Sequence, residues 1–130
     1  MAEKVLLDTC AFLWLALDNP QLSEKARRTF TDPGYEIYLS VISAWEITVK
    51  YSRGRLNLPQ PPAVLIPEWR ENRGILSLPL EETAALYESR LPRLHQDPFD
   101  RMLICQSIIH GMALLTPDPE IMKYPVHTLW

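Results

Sequence analysis

Four carboxylates stand out for where they fall: Asp8 closes an apolar run, Glu46 lies inside one, Asp100 follows an Asp-Pro pair, and Asp118 sits between two prolines. A carboxylate withdrawn from water is costly unless it is paired or bound to a cation. Several brought together raise one another's proton affinity until a hard divalent ion neutralises them. Oxygen-only donors select Mg²⁺ or Mn²⁺ over zinc. Such an ion polarises a phosphate, lowers the pKa of a bound water and stabilises a leaving oxygen.

Each acid also has a local explanation that involves no ion. Asp8 suits the N-cap of the helix that follows it. Ser43, Glu46 and Lys50 share one narrow polar stripe of an otherwise apolar helix, so Glu46 can pair with Lys50 at i, i+4. Within His95-Gln-Asp-Pro-Phe-Asp-Arg101, Asp97 suits the cap, Pro98 the first helical position and Asp100 the first turn, where acids complement the helix dipole. Asp97 competes with Asp100 for a place in a site, but as the residue before proline it is the better cap. Asp118 is of a type common in turns.

The elements that must position these residues alternate between strand and helix. Lys4 to Asp8 reads as a buried strand feeding a helix through Leu17. A second helix starts at Ser23 and Glu24 and runs to Phe30, ahead of a turn at Asp32-Pro33-Gly34. Tyr35 to Leu39 is the second strand, and Ser40 caps a helix over Val41 to Tyr51 that ends at Arg53-Gly54. Leu58 to Pro62 is a proline-rich loop. Val64 to Asn72 is helical, Gly74 to Leu78 a strand, and Glu81 to Leu91 a helix. Asp97-Pro98 opens a helix to His110, followed by strands at Met112 to Thr116 and Val126 to Leu129. With no hairpin signal, this order indicates an α/β fold whose parallel sheet is covered by helices on both faces. Both Asp8 and Asp118 then fall at strand carboxyl ends, where ligands gather in open α/β sheets.

Composition sets the outer bounds. The 130 residues are 47% hydrophobic and 22% charged, ordinary values for one globular domain over residues 1–130. The longest apolar stretch, Ala11 to Leu17, is too short for a membrane span, and the first residues lack the features of a signal peptide, so a cytoplasmic location is expected. Cys10 and Cys105 read as reduced core residues, too few for a disulfide scaffold or a cysteine zinc site. A net charge of −3 argues weakly against nucleic acid as a partner, since removing the four acids from sixteen leaves twelve against thirteen basic residues, a balance of +1.

Together, Val5-Leu-Leu-Asp8-Thr9, Ser40-Val-Ile-Ser-Ala-Trp-Glu46-Ile47 with Lys50, Asp97-Pro-Phe-Asp100-Arg-Met-Leu-Ile104 and Leu114-Leu-Thr116-Pro-Asp118 resemble the PIN-domain family, and within it the VapC-type toxins of toxin-antitoxin modules. They run in the family's order and span nearly the whole chain. The resemblance implies a three-layer α/β/α domain with a central, mostly parallel sheet of four to five strands. It implies a metal-dependent endoribonuclease whose acidic quartet is Asp8, Glu46, Asp100 and Asp118, holding one or two Mg²⁺ or Mn²⁺ ions. Thr9, Ser43, Thr116 and Asp97 would support those acids, with Asp118 the most dispensable of the four. Products would carry a 5′-phosphate and a 3′-hydroxyl. Lys50, Arg53 and Arg55 could hold RNA phosphates, although a solvated charged face is the more common explanation. The resemblance further implies a cognate antitoxin and a toxin homodimer. Trp14 and Trp69 could line an antitoxin groove or belong to the core.

Two other readings are weighed. An aspartyl-phosphate hydrolase built on Asp8 needs a second acid two residues on, where Cys10 stands. A PIN-like module that binds RNA or a partner without cutting would retain the fold, but would have no use for all four acids.

Overall fold

Successive residues of the first strand, β1 (Glu3–Leu7), point to opposite faces, and both faces are buried: Val5 and Leu7 enter one apolar cluster and Leu6 the other. That pattern belongs to a central strand of a sheet covered on both sides. The computed structural model describes residues 2–130. It contains five parallel strands in the order β3-β2-β1-β4-β5, the others being β2 (Tyr35–Ser40), β3 (Leu76–Leu78), β4 (Ala113–Leu115) and β5 (Thr128–Leu129).

The helices form two layers. Residues of α1 (Thr9–Ala16), α2 (Glu24–Thr31) and α4 (Pro62–Arg73) pack with Val5, Leu7, Ile37 and Leu39. Residues of α6 (Pro98–His110) and the short α5 (Glu82–Tyr87) pack with Leu6 and Leu114 on the other face. The helix α3 (Val41–Ser52) contributes to both, through Ile47 and Ile42. Each fully buried leucine here is worth roughly 1.5–3 kcal/mol relative to exposure. The α/β class, the two helical layers and the parallel sheet match what the sequence implies.

Several boundaries differ. The helix expected at Val64 starts at Pro62, because proline at the first helical position forfeits only a donor that would lack a partner. It also continues through Pro67, losing the bond to the Ala63 carbonyl. Burial of Leu65 and Ile66, and hydrogen bonds from Arg70 to the Leu39 and Leu76 carbonyls, offset that loss. Gly74 adopts a left-handed φ of 64° and terminates α4 instead of opening β3. The helix expected over Glu81 to Leu91 tightens after Tyr87 into a 3₁₀ turn, Glu88–Arg90. A single helical turn, α7 (Pro119–Met122), follows Asp118 where the sequence suggests only a turn.

The strand order reverses at β1: the chain builds outward through β2 and β3, then returns to place β4 on β1's other side. A crevice at such a reversal, outside the strand carboxyl ends, is the usual ligand position in open α/β sheets.

Candidate active site at the carboxyl edge of the sheet

Asp8 leaves β1 at this reversal, its backbone N–H donating to the Leu115 carbonyl of neighbouring β4. It stands at the N-cap position of α1 but makes no side-chain cap bond. Its carboxylate instead accepts from the Thr116 hydroxyl at 2.6 Å and from the Cys10 thiol at 3.3 Å. The capping explanation therefore fails at Asp8, whereas Asp97 caps α6 by accepting from the Phe99 and Asp100 amides. Asp118 likewise caps α7, accepting from the Glu120 amide.

Glu46 projects from α3 with 4% of its surface exposed. Thr9 Oγ1 lies 2.8 Å from both Glu46 Oε1 and the Ser43 hydroxyl. A hydroxyl has one proton, so Thr9 donates to the carboxylate and accepts from Ser43. The i, i+4 pair with Lys50 also forms, on Oε2. Asp100, in the first turn of α6, accepts at Oδ2 from His95 Nε2 at 3.2 Å.

These side chains meet around one cleft of about 230 Å³, whose walls include Asp8, Glu46, Asp97, Asp100 and Asp118 with Thr9, Cys10 and Lys50. Five carboxylates thus face a single ammonium. Burial pushes the Asp100 carboxyl up to about 8, and the charges of Asp97, Asp8, Glu46 and Asp118 push in the same direction. Burial also raises Asp8, with Glu46 adding to it, against the opposing hydrogen bonds from Thr116 and Cys10. Burial pulls Lys50 down, but its bond to Glu46 and the charges of Glu46, Asp97 and Asp100 outweigh this and hold the ammonium charged. Among the described residues, no three carboxylate, imidazole or thiol groups converge tightly enough to grip an ion by themselves. The acids ring the cleft instead. Two roomier hollows, of about 620 and 520 Å³, each include only one carboxylate, Glu82 and Glu88 respectively.

Two expectations need correcting or narrowing. Cys10 is a cleft-wall residue, not part of the core: α1's first turn faces the strand ends, and burial followed by the charge of Asp8 pushes the thiol well above its ordinary range. Cys105 is buried as expected, and both cysteines are free. Lys50 reaches the cleft, but the exposed Arg53 and Arg55 are not among its lining residues. Trp14 packs edge-on against Trp130, with ring centroids 5.8 Å apart, and both Trp14 and Trp69 lean on the first core cluster.

His95 carries no role in the sequence reading, although it opens the segment that contains Asp97 and Asp100. Its partner besides Asp100 is Tyr124, 29 residues away, and only the fold brings them together. The one signal was a histidine two residues ahead of one acid and five ahead of another.

The fold has relatives of known structure. It is similar to VapBC2 from Rickettsia felis, solved with a DNA fragment from its promoter (TM-score 0.71, 14% identity, 98% of each chain covered). DNA-bound VapBC from Salmonella typhimurium is similar too (0.70, 16%, 99% of this chain and 98% of that one). So is a toxin-antitoxin complex from Klebsiella pneumoniae (0.63, 13%, 97% and 96%). At such identities the likeness establishes the fold alone. Among curated proteins none matches this sequence. The PIN-domain family profile, however, matches residues 5–126, a span that takes in every acid of the cleft, and the chain therefore belongs to the PIN-domain family.

Proposed function

We propose that this chain is a divalent-metal-dependent endoribonuclease, the VapC-type toxin of a toxin-antitoxin pair. The observation that carries the reading is the excess of acids, two buried and three half-buried, over cations in one cleft at the sheet's reversal point. Raised proton affinities at Asp8 and Asp100 mark negative charge that the chain does not itself neutralise.

The donor set fits Mg²⁺ or Mn²⁺. Mg²⁺ keeps several waters and uses only one or two carboxylates directly, so acids spaced around a cleft suit a hydrated ion better than a tight cage would. Asp8, Glu46 and Asp100 would hold one or two ions, with Asp118 at the rim. When bound, the metal supplies charge neutralisation at the scissile phosphate and a more acidic water. The chain's own groups orient the donors. Thr116 holds Asp8, Thr9 backed by Ser43 holds Glu46, and Asp97 fixes the start of the helix that carries Asp100. Lys50, charged and half exposed at the cleft wall, is placed to meet a substrate phosphate; Arg53 and Arg55, farther along, would extend the contact.

The solved structures of similar fold contain toxin-antitoxin assemblies, which supports an antitoxin partner for this chain. We assign it one domain over residues 1–130, a homodimeric state and a cytoplasmic setting; among the described residues no helix is long and apolar enough to cross a membrane. The test is cleavage of a structured RNA with Mn²⁺ or Mg²⁺ by the wild type and by Asp8→Ala and Asp100→Ala. Metal-dependent cleavage lost in both variants supports the assignment. Equal cleavage by all three identifies a contaminating nuclease and overturns it.

A further inference from the structure

Tyr124 is 4% exposed, and its phenol oxygen is the meeting point of three polar groups. The backbone N–H of His95 donates to it at 3.1 Å, Arg101 Nη1 donates at 3.0 Å, and His95 Nδ1 lies 2.7 Å away. With two donors already on the oxygen, the phenol proton has one acceptor within reach, the imidazole Nδ1. Were Nδ1 to carry a proton, the oxygen would receive three donors and its own proton would be buried without a partner, a costly arrangement. Nδ1 is therefore bare, and Nε2 carries the ring proton. Nε2 is the atom that faces Asp100 Oδ2, 3.2 Å away. Edge-on packing of the two rings, with centroids 5.3 Å apart, holds the imidazole in this orientation.

We infer that His95 is a positioning residue: the chain Arg101–Tyr124–His95 fixes the imidazole tautomer so that it donates to Asp100, holding Oδ2 and leaving Oδ1 for the cleft. The inference rests on the metal-site reading above and deepens it, giving Asp100 an imidazole N–H in the role that the Thr116 hydroxyl plays for Asp8 and the Thr9 hydroxyl for Glu46. An outer partner that fixes a ligand's orientation is typically worth about 10- to 100-fold in metal affinity.

Two measurements test it. Nitrogen-15 NMR of the metal-free protein, with the His95 signals assigned by comparison with His95→Gln, should show a protonated Nε2 and a bare Nδ1. In Tyr124→Phe the preference should relax toward a mixture. Mn²⁺ titration should then show affinity about 10-fold weaker in His95→Ala and nearly restored in His95→Gln, whose amide nitrogen can take the place of Nε2. A protonated Nδ1 in the wild type overturns the hydrogen-bond chain, even if His95→Ala does not fold. Unchanged Mn²⁺ affinity in His95→Ala overturns the positioning role alone. Failure of the wild-type protein to bind Mn²⁺ overturns the metal reading and the positioning role with it.

Discussion

Asp100 and Arg101 are neighbours in the first turn of α6, yet they enter two opposite kinds of charged environment. Arg101 is 3% exposed and fully matched: it donates to the Glu88 carboxylate at 2.8 Å, to the Pro92 carbonyl at 2.8 Å, to Tyr124 at 3.0 Å and to the Glu88 carbonyl at 3.2 Å. Asp100 faces a cleft with four other acids, and within it one lysine. A buried charge answered inside the chain is part of what holds the fold. A group of buried and half-buried charges left short of counter-charge is a candidate site for one.

This contrast can be broken most severely at Asp8. Asp8→Asn keeps the side chain's shape but removes the charge and the acceptor pair, and is expected to lower RNA cleavage by about 10³-fold, roughly 4 kcal/mol of barrier. Single-turnover assays check it. The melting temperature of the metal-free variant should not fall with the activity.

Arg101→Ala should act in the reverse sense. It leaves the Glu88 carboxylate, two carbonyls and the Tyr124 hydroxyl short of a donor, and is expected to cost about 3 kcal/mol in chemical denaturation. A loss under about 1 kcal/mol would erase the distinction between the two environments.

A smaller effect follows from protons. Asp100 is held up near 8 in the folded protein, Asp8 is also raised, and both return to ordinary values near 4 on unfolding. The folded metal-free state thus binds more protons than the unfolded one between about pH 4 and 8, and stability contributed by these groups is lost as pH rises through that window. Thermal melts in chelator should show the melting temperature falling from pH 5 to pH 8, with Mn²⁺ restoring it most strongly at pH 8. Asp100→Asn should flatten the fall. A chelated protein that grows more stable toward pH 8 in a manner dependent on Asp100 contradicts the account.

The smallest expected change is at Cys10. Cys10→Ser keeps a donor to Asp8, and activity should stay within about 3-fold of wild type, as measured by initial rates, since the serine hydroxyl replaces a thiol that is only a weak donor.

Much of this arrangement was legible in the residues. The unbroken apolar run of β1, the Ser40 cap and the Asp97-Pro98 helix start all act locally, and all appear where their local chemistry puts them. Asp118-Pro119 shows where local signals stop: the same dipeptide opens a helix of only four residues, too short for periodicity to announce. Pro67 shows that packing can carry a helix through a residue that locally disfavours it. That Asp8 does not cap α1 follows from where its carboxylate turns instead, toward Thr116, 108 residues away. The link from His95 to Tyr124 is equally non-local.

The central claim is that the acid cleft is a metal site. Crystals soaked in Mn²⁺ and measured for anomalous scattering test it most directly. The account predicts a peak bounded by Asp8, Glu46 and Asp100, with at least one carboxylate oxygen at about 2.0–2.6 Å and the peak absent in Asp8→Asn. A cleft without a peak in Mn²⁺-saturated crystals, or a peak at a site remote from these acids, would contradict it.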